Sequence, residues 1–133
     1  MAVKILSSKM FSKKMKLTIH KTGRLGFNEE AVRVLRVVDK PCFTFGLADG
    51  KPFDEGLLIA RHDEQNPDGF KTLSSGKNFY LNTAALFDMY DLNYRNVSFI
   101  YDLNRAPAYD EDMKGETYTM HLRTRARNSV KNK

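Results

Sequence analysis

Leu17 and Ile19, then Leu25 and Phe27, occupy every second position on either side of Thr22-Gly23. A period of two predicts half-buried strands, and a glycine tolerant of positive φ between them predicts a tight hairpin turn. Ala31, Val34, Leu35 and Val38 then fall at i, i+3, i+4 and i+7, which predicts a helix with one apolar face. Asn28 is placed to cap it, Glu29 and Glu30 sit in the first turn where the helix dipole favours anions, and Arg33 and Arg36 lie off the apolar face. Pro41 closes the helical region. Phe43, Phe45 and Leu47 alternate up to Asp49-Gly50, and Gly56 to Ala60 is apolar on both faces, the pattern of a central strand.

The same order returns further on. Phe79 and Leu81 alternate after Gly76, Asn82 is expected to cap a helix carrying Ala85, Leu86, Met89 and Tyr90, and two more alternating runs follow. These are Val97, Phe99, Tyr101 and Leu103, then Tyr118, Met120 and Leu122, joined by an expected loop from Asn104 to Gly115. The turn glycines Gly23 and Gly76 are 53 residues apart, and Asn28 and Asn82 are 54 apart. We read this as an internal repeat. The expected fold is α+β, mostly β: two β-β-α-β-β units packed on one another, because about 50 residues bury too little surface to fold alone. The chain divides into a basic extension (1–15), a first repeat (16–62), a turn-rich link containing Asn66-Pro67-Asp68-Gly69 (63–69), a second repeat (70–122) and a basic tail (123–133).

Composition narrows the function classes. Of 133 residues 41% are hydrophobic and 11% aromatic, enough to build a core and to exclude disorder throughout. The single cysteine, Cys42, excludes a disulfide framework and a cysteine zinc cage. No apolar run approaches the roughly 20 residues of a membrane span, and the start lacks the apolar segment of a secretory signal, so a soluble cytoplasmic protein is expected. Net charge is +6 and unevenly spread. Residues 1–28 carry seven cations and no acid, residues 121–133 carry five cations and no acid, and the stretch between holds 10 basic and 16 acidic side chains. Basic ends around an acidic body point to a polyanionic partner.

Chemical motifs are few. His20, His62 and His121 are placed at separate strand ends with no metal-ligand spacing. Ser74-Ser75-Gly76-Lys77 lacks the hydroxyl residue after the lysine and the spaced glycine of a phosphate loop. Cys42, beside Pro41, reads as a small core residue. Nothing calls for catalysis, a cofactor or a metal.

Thr22-Gly23-Arg24-Leu25-Gly26-Phe27, followed by Glu30-Ala31, Leu35, the strand at 43–45 and the strand at 57–61, resembles the AbrB/SpoVT family of swapped-hairpin DNA-binding transition regulators and antitoxins. The likeness covers residues 16–62, with a weaker echo over 70–122. It implies a barrel of interleaved hairpins, made within one chain as in the MraZ branch. It also implies a DNA-facing cation after each turn glycine, here Arg24 and Lys77. The chain departs from that family in having Asn28 where a proline is usual, and in matching its helix arginines only at Arg33.

The expected partner is therefore DNA, contacted mainly at phosphate by Lys16, His20, Lys21, Arg24, Arg33, Lys77, Arg123, Arg125 and Arg127, with Arg24 the candidate for a base. The three tail arginines would form a stripe on one strand face. A surface ion pair of Arg24 with Glu29 or Glu30 is the competing reading of that residue. A homodimer is a candidate assembly, and no toxin partner is named by the sequence. Two other functions fit the composition. One is a single-strand binder of the Whirly or PUR type using Tyr80 or Tyr101, and the other is a structural or assembly protein without nucleic acid.

Overall fold

The computed structural model describes residues 2–3, 14–53 and 55–127, the last four for their backbone alone. The expected basic extension falls mostly outside these residues, as does the tail beyond Arg127. The first hairpin pairs β1 (Lys16–Ile19) with β2 (Leu25–Phe27), Leu17 opposite Phe27 and Ile19 opposite Leu25. Its turn is closed by two backbone bonds, His20 N–H to Arg24 O at 2.9 Å and Gly23 N–H to His20 O at 2.8 Å, with Gly23 at φ +87°. Asn28 caps α1 (Glu29–Val34): its Oδ1 accepts from Ala31 N–H at 2.9 Å and from Lys16 N–H at 3.0 Å, tying the cap to the first strand.

The helix is shorter than its apolar spacing suggests. Arg36 turns left-handed (φ 51°), so the next residue inward is Val37, fully buried, while Val38 is exposed. The buried Arg61 explains part of this early end, because its Nε donates to the Leu35 carbonyl left open there while Nη1 pairs with Asp63.

β3 (Cys42–Leu47) and β4 (Leu57–His62) follow, and β4 is buried from Leu57 to Arg61, as a strand apolar on both faces should be. Cys42 is buried at the start of β3. The second half comprises β5 (Phe70–Lys71), β6 (Leu73–Ser75), β7 (Asn78–Leu81), α2 (Ala84–Met89), β8 (Val97–Arg105), α3 (Asp110–Met113) and β9 (Glu116–Arg127). Three expectations need correction here. Thr83, not Asn82, stands at the start of α2, and its buried hydroxyl donates across to Gly23 O at 2.8 Å instead of capping. Ala85, Met89 and Tyr90 are exposed and Phe87 supplies the buried contact, because a helix this short presents little more than one residue to the core. The stretch 104–115 is largely ordered: β8 runs to Arg105, and Arg105 grips Asp110 through two bonds of 2.7 and 2.6 Å.

All strands join in one antiparallel sheet in the order β5-β3-β4-β9-β8-β1-β2-β7-β6. Its two outermost strands, β5 and β6, are separated in the chain by Thr72 alone, so the sheet must curl until its edges nearly meet. Thr72 is buried, its hydroxyl donating to Pro41 O at 2.7 Å. The result is a mostly β, barrel-like fold. One core fills it from both halves of the chain, with Leu17, Ile19, Leu25, Phe43 and Ile59 from the first and Leu81, Phe87, Tyr94, Tyr101 and Met120 from the second. Among the described residues no helix is long and apolar enough to cross a membrane.

Candidate nucleic-acid interface

Strand alternation decides which side chains leave the barrel. On β1, Leu17 and Ile19 point inward, which turns Thr18 and the following His20 outward. On β2, Leu25 points inward and Gly26 takes the outward position, and its partner on β7 is Tyr80. With no side chain at Gly26, the outer surface dips between β1 and β7. His20 folds over the dip, since a Cβ on Gly26 would lie 2.7 Å from His20 Nε2.

The dip belongs to an open groove of about 800 Å³ whose lining includes His20, Lys21, Arg24, Asn78 and Tyr80. Arg24 follows the pinned turn glycine and lays its guanidinium over the Tyr80 ring, 4.4 Å from the centroid. A cation–π contact at such an exposed place is worth about 0.5–1 kcal/mol, enough to orient the group without immobilising it. Of the two carboxylates expected to compete for Arg24, Glu30 pairs with Arg33, and the contact Arg24 makes among the described residues is with the Tyr80 ring. No carboxylate stands among the groove's described lining residues. Three basic or titratable side chains, His20, Lys21 and Arg24, thus share one face with no acid among its described lining residues.

The other expected contacts are dispersed. Lys77 lies in the turn between Ser75 and Asn78, both of which line the groove, but is not itself one of its described lining residues. Arg33 is exposed on α1, and its ion pair with Glu30 raises its already high pKa. Lys16 is in register with Asp102 on β8, and Arg123 Nε lies 3.9 Å from the Asp102 carboxylate. That carboxylate is nearly buried, its Oδ1 without a hydrogen-bond partner among the described residues, and it offsets the positive charge on this part of the outer face. Arg125 and Arg127 continue β9 opposite Phe99 and Val97, beyond a register shift between Ile100 and Tyr101. Their side chains lie outside the described residues.

The histidines stay apart. His62 Nε2 meets Thr44 Oγ1 at 2.8 Å, and His121 lies within β9 opposite Asp102 rather than at a strand end. Among the described residues no three His, Cys, Asp or Glu side chains gather as a metal site requires.

Sequence reasoning singled out Arg24 and Tyr80 separately and missed their contact, which depends on β2 pairing with β7 across 54 residues of chain. It also missed Gly26 as the residue that makes the groove. The acid at 102, between the inward Tyr101 and Leu103, was the available signal for Asp102 on the outer face. No family model, curated protein or solved structure matches the chain.

Proposed function

We propose that this chain binds double-stranded DNA without catalysis, as a transcriptional regulator or antitoxin-like protein of the AbrB/SpoVT kind with two repeats in one chain. The presence of His20, Lys21 and Arg24 along a groove with no carboxylate among its described lining residues carries the reading. A turn-borne arginine and lysine beside backbone held rigid by two hydrogen bonds is a good phosphate clamp, and Arg24 retains a planar fork for a guanine edge.

The strand order supports the two-repeat element. β1 of the first half pairs with β8 of the second, and β5 of the second pairs with β3 of the first; β2 pairs with β7, and β4 with β9. If β5 and β6 count as one interrupted strand, exchanging the halves maps this ring onto itself. Each half thus lends strands to the other, as interleaved hairpins do.

An electrophoretic shift at several salt concentrations tests the proposal. Counterion release gives a log–log slope of about −0.9 per phosphate contacted, so the double substitution Lys21→Ala/Arg24→Ala should flatten the slope by about 1.8 and weaken binding at every salt concentration. An unchanged slope removes these residues from the interface. Preference for single strands over duplex, lost on Tyr80→Leu, would replace the duplex reading with the single-strand one.

A further inference from the structure

We infer that the groove between β1, β2 and β7 receives one unpaired nucleotide of a bound nucleic acid, its base stacking on the shelf that Arg24 and Tyr80 form together. The inference rests on the nucleic-acid reading above and deepens it by naming what enters the groove. A smooth basic ridge would suffice for phosphate contacts alone, yet this face is concave. Its volume of about 800 Å³ lies in the range of pockets that enclose a small organic ligand, about 300–1,000 Å³.

The chemistry of the lining agrees. The Arg24 guanidinium covers one face of the Tyr80 ring, and its own planar outer face is a surface of the type on which unstacked bases settle. Asn78, Ser75 and Ser98 contribute donors and acceptors that can meet a base edge, and Lys21 stands at the turn for the adjoining phosphate. Gly26 provides the depth. A base within an intact helix shows only its edge to a protein, so the shelf has a use only when a base leaves the stack.

The test is fluorescence anisotropy with the full chain and three probes: a perfect 20-base-pair duplex, the same duplex with one bulged nucleotide, and a free nucleoside monophosphate as competitor. Stacking of one base predicts that the bulged duplex binds about 5- to 100-fold tighter than the perfect one. That ratio should fall to near one in Arg24→Lys, which keeps the charge but removes the planar group, and in Tyr80→Leu, while Tyr80→Phe keeps it. Arg24 is exposed, so the lysine variant reports on stacking even if Tyr80→Leu unfolds. A 2-aminopurine at the bulge should be quenched on binding by the wild type and by Tyr80→Phe only. A ratio of one in the wild type with the duplex still bound overturns the inference and leaves the duplex reading standing. Binding of no nucleic acid overturns both, and tight binding of the free monophosphate with no gain from the polymer overturns the inference in favour of a small-molecule site.

Discussion

Replacing Gly23 by alanine probes how firmly the first hairpin turn is clamped by the second half of the chain. At φ +87° the backbone is in a region that costs an L-residue about 1–2 kcal/mol. A Cβ there would also lie 2.6 Å from Ala84 Cβ, 2.8 Å from Ala84 Cα and 3.0 Å from Tyr94 Cζ. Ala84 has no flexible end to rotate away, and Tyr94 is buried with its hydroxyl bound to Asp88 Oδ1 at 2.6 Å. Relief therefore means moving α2 off the turn, which strains the Thr83 bond to Gly23 O and adds about 1–3 kcal/mol of overpacking. The sum is about 2–5 kcal/mol, a large share of the 5–15 kcal/mol typical of a domain. Gly76 (φ +61°) and Gly50 (φ +79°) are the controls, since a Cβ at either meets nothing within 4 Å and only the conformational cost remains. In urea unfolding with an m-value of about 2 kcal/mol/M, Gly23→Ala should lower the midpoint by about 1–2.5 M and Gly76→Ala by about 0.5–1 M, with m unchanged. Equal shifts for the two substitutions would mean that the turn is not packed against α2, and the close contact between the halves would have to be abandoned.

The Arg105–Asp110 grip makes the β8–β9 junction pH-sensitive. Hydrogen bonds from Arg105 and from Thr117 N–H hold the Asp110 carboxyl below its usual range, so its contribution is complete above the ordinary carboxylate pKa of about 4 and is lost as pH falls through the depressed value. The difference in urea midpoint between wild type and Asp110→Asn should be constant above about pH 5 and vanish in strong acid; a difference that persists there refutes the assignment. Tyr118 behaves in the opposite sense. Burial, and then its hydrogen bond to Glu116, raise its phenol pKa, so its stabilisation is present below about pH 10 and lost as pH rises through the raised value; absorbance at 295 nm should show Tyr118, and with it Tyr94, whose hydrogen bond to Asp88 also raises its pKa, ionising later than an exposed tyrosine. Gly26→Ala should cost less than about 1 kcal/mol, because the clash is with the movable end of the exposed His20 side chain, while shifting the His20 imidazole resonances in NMR. Destabilisation as large as that of Gly23→Ala would show His20 to be fixed in place.

What could be read from the sequence is what depends on neighbours in the chain. The Leu17–Phe27 alternation, the turn at Gly23, the Asn28 cap and the apolar start of β4 (Leu57 to Ala60) are local patterns, and each stands where its residues require. Failures begin where a distant partner outweighs the local preference. Thr83 forgoes capping α2 because Gly23 O lies beside it, and Val37 displaces Val38 because Arg36 turns left-handed where Arg61 meets the end of α1. The candidate site divides in the same way. That the surface would be basic, and that Arg24 would project from its turn, follows from composition and one glycine. Whether a cation carried by a strand is available to a partner does not, because that is decided by register. Asp102 stands opposite Lys16 because β1 pairs with β8, and near Arg123 because β8 also pairs with β9 through a bulge. Arg24 escapes such pairing because β2 lies instead beside β7, whose outward residue is an aromatic ring and not an acid. Eight basic positions and His20 were thus legible as candidates, and for Lys16, Arg24 and Arg123 it is the sheet order that decides whether a carboxylate or an aromatic ring stands beside them.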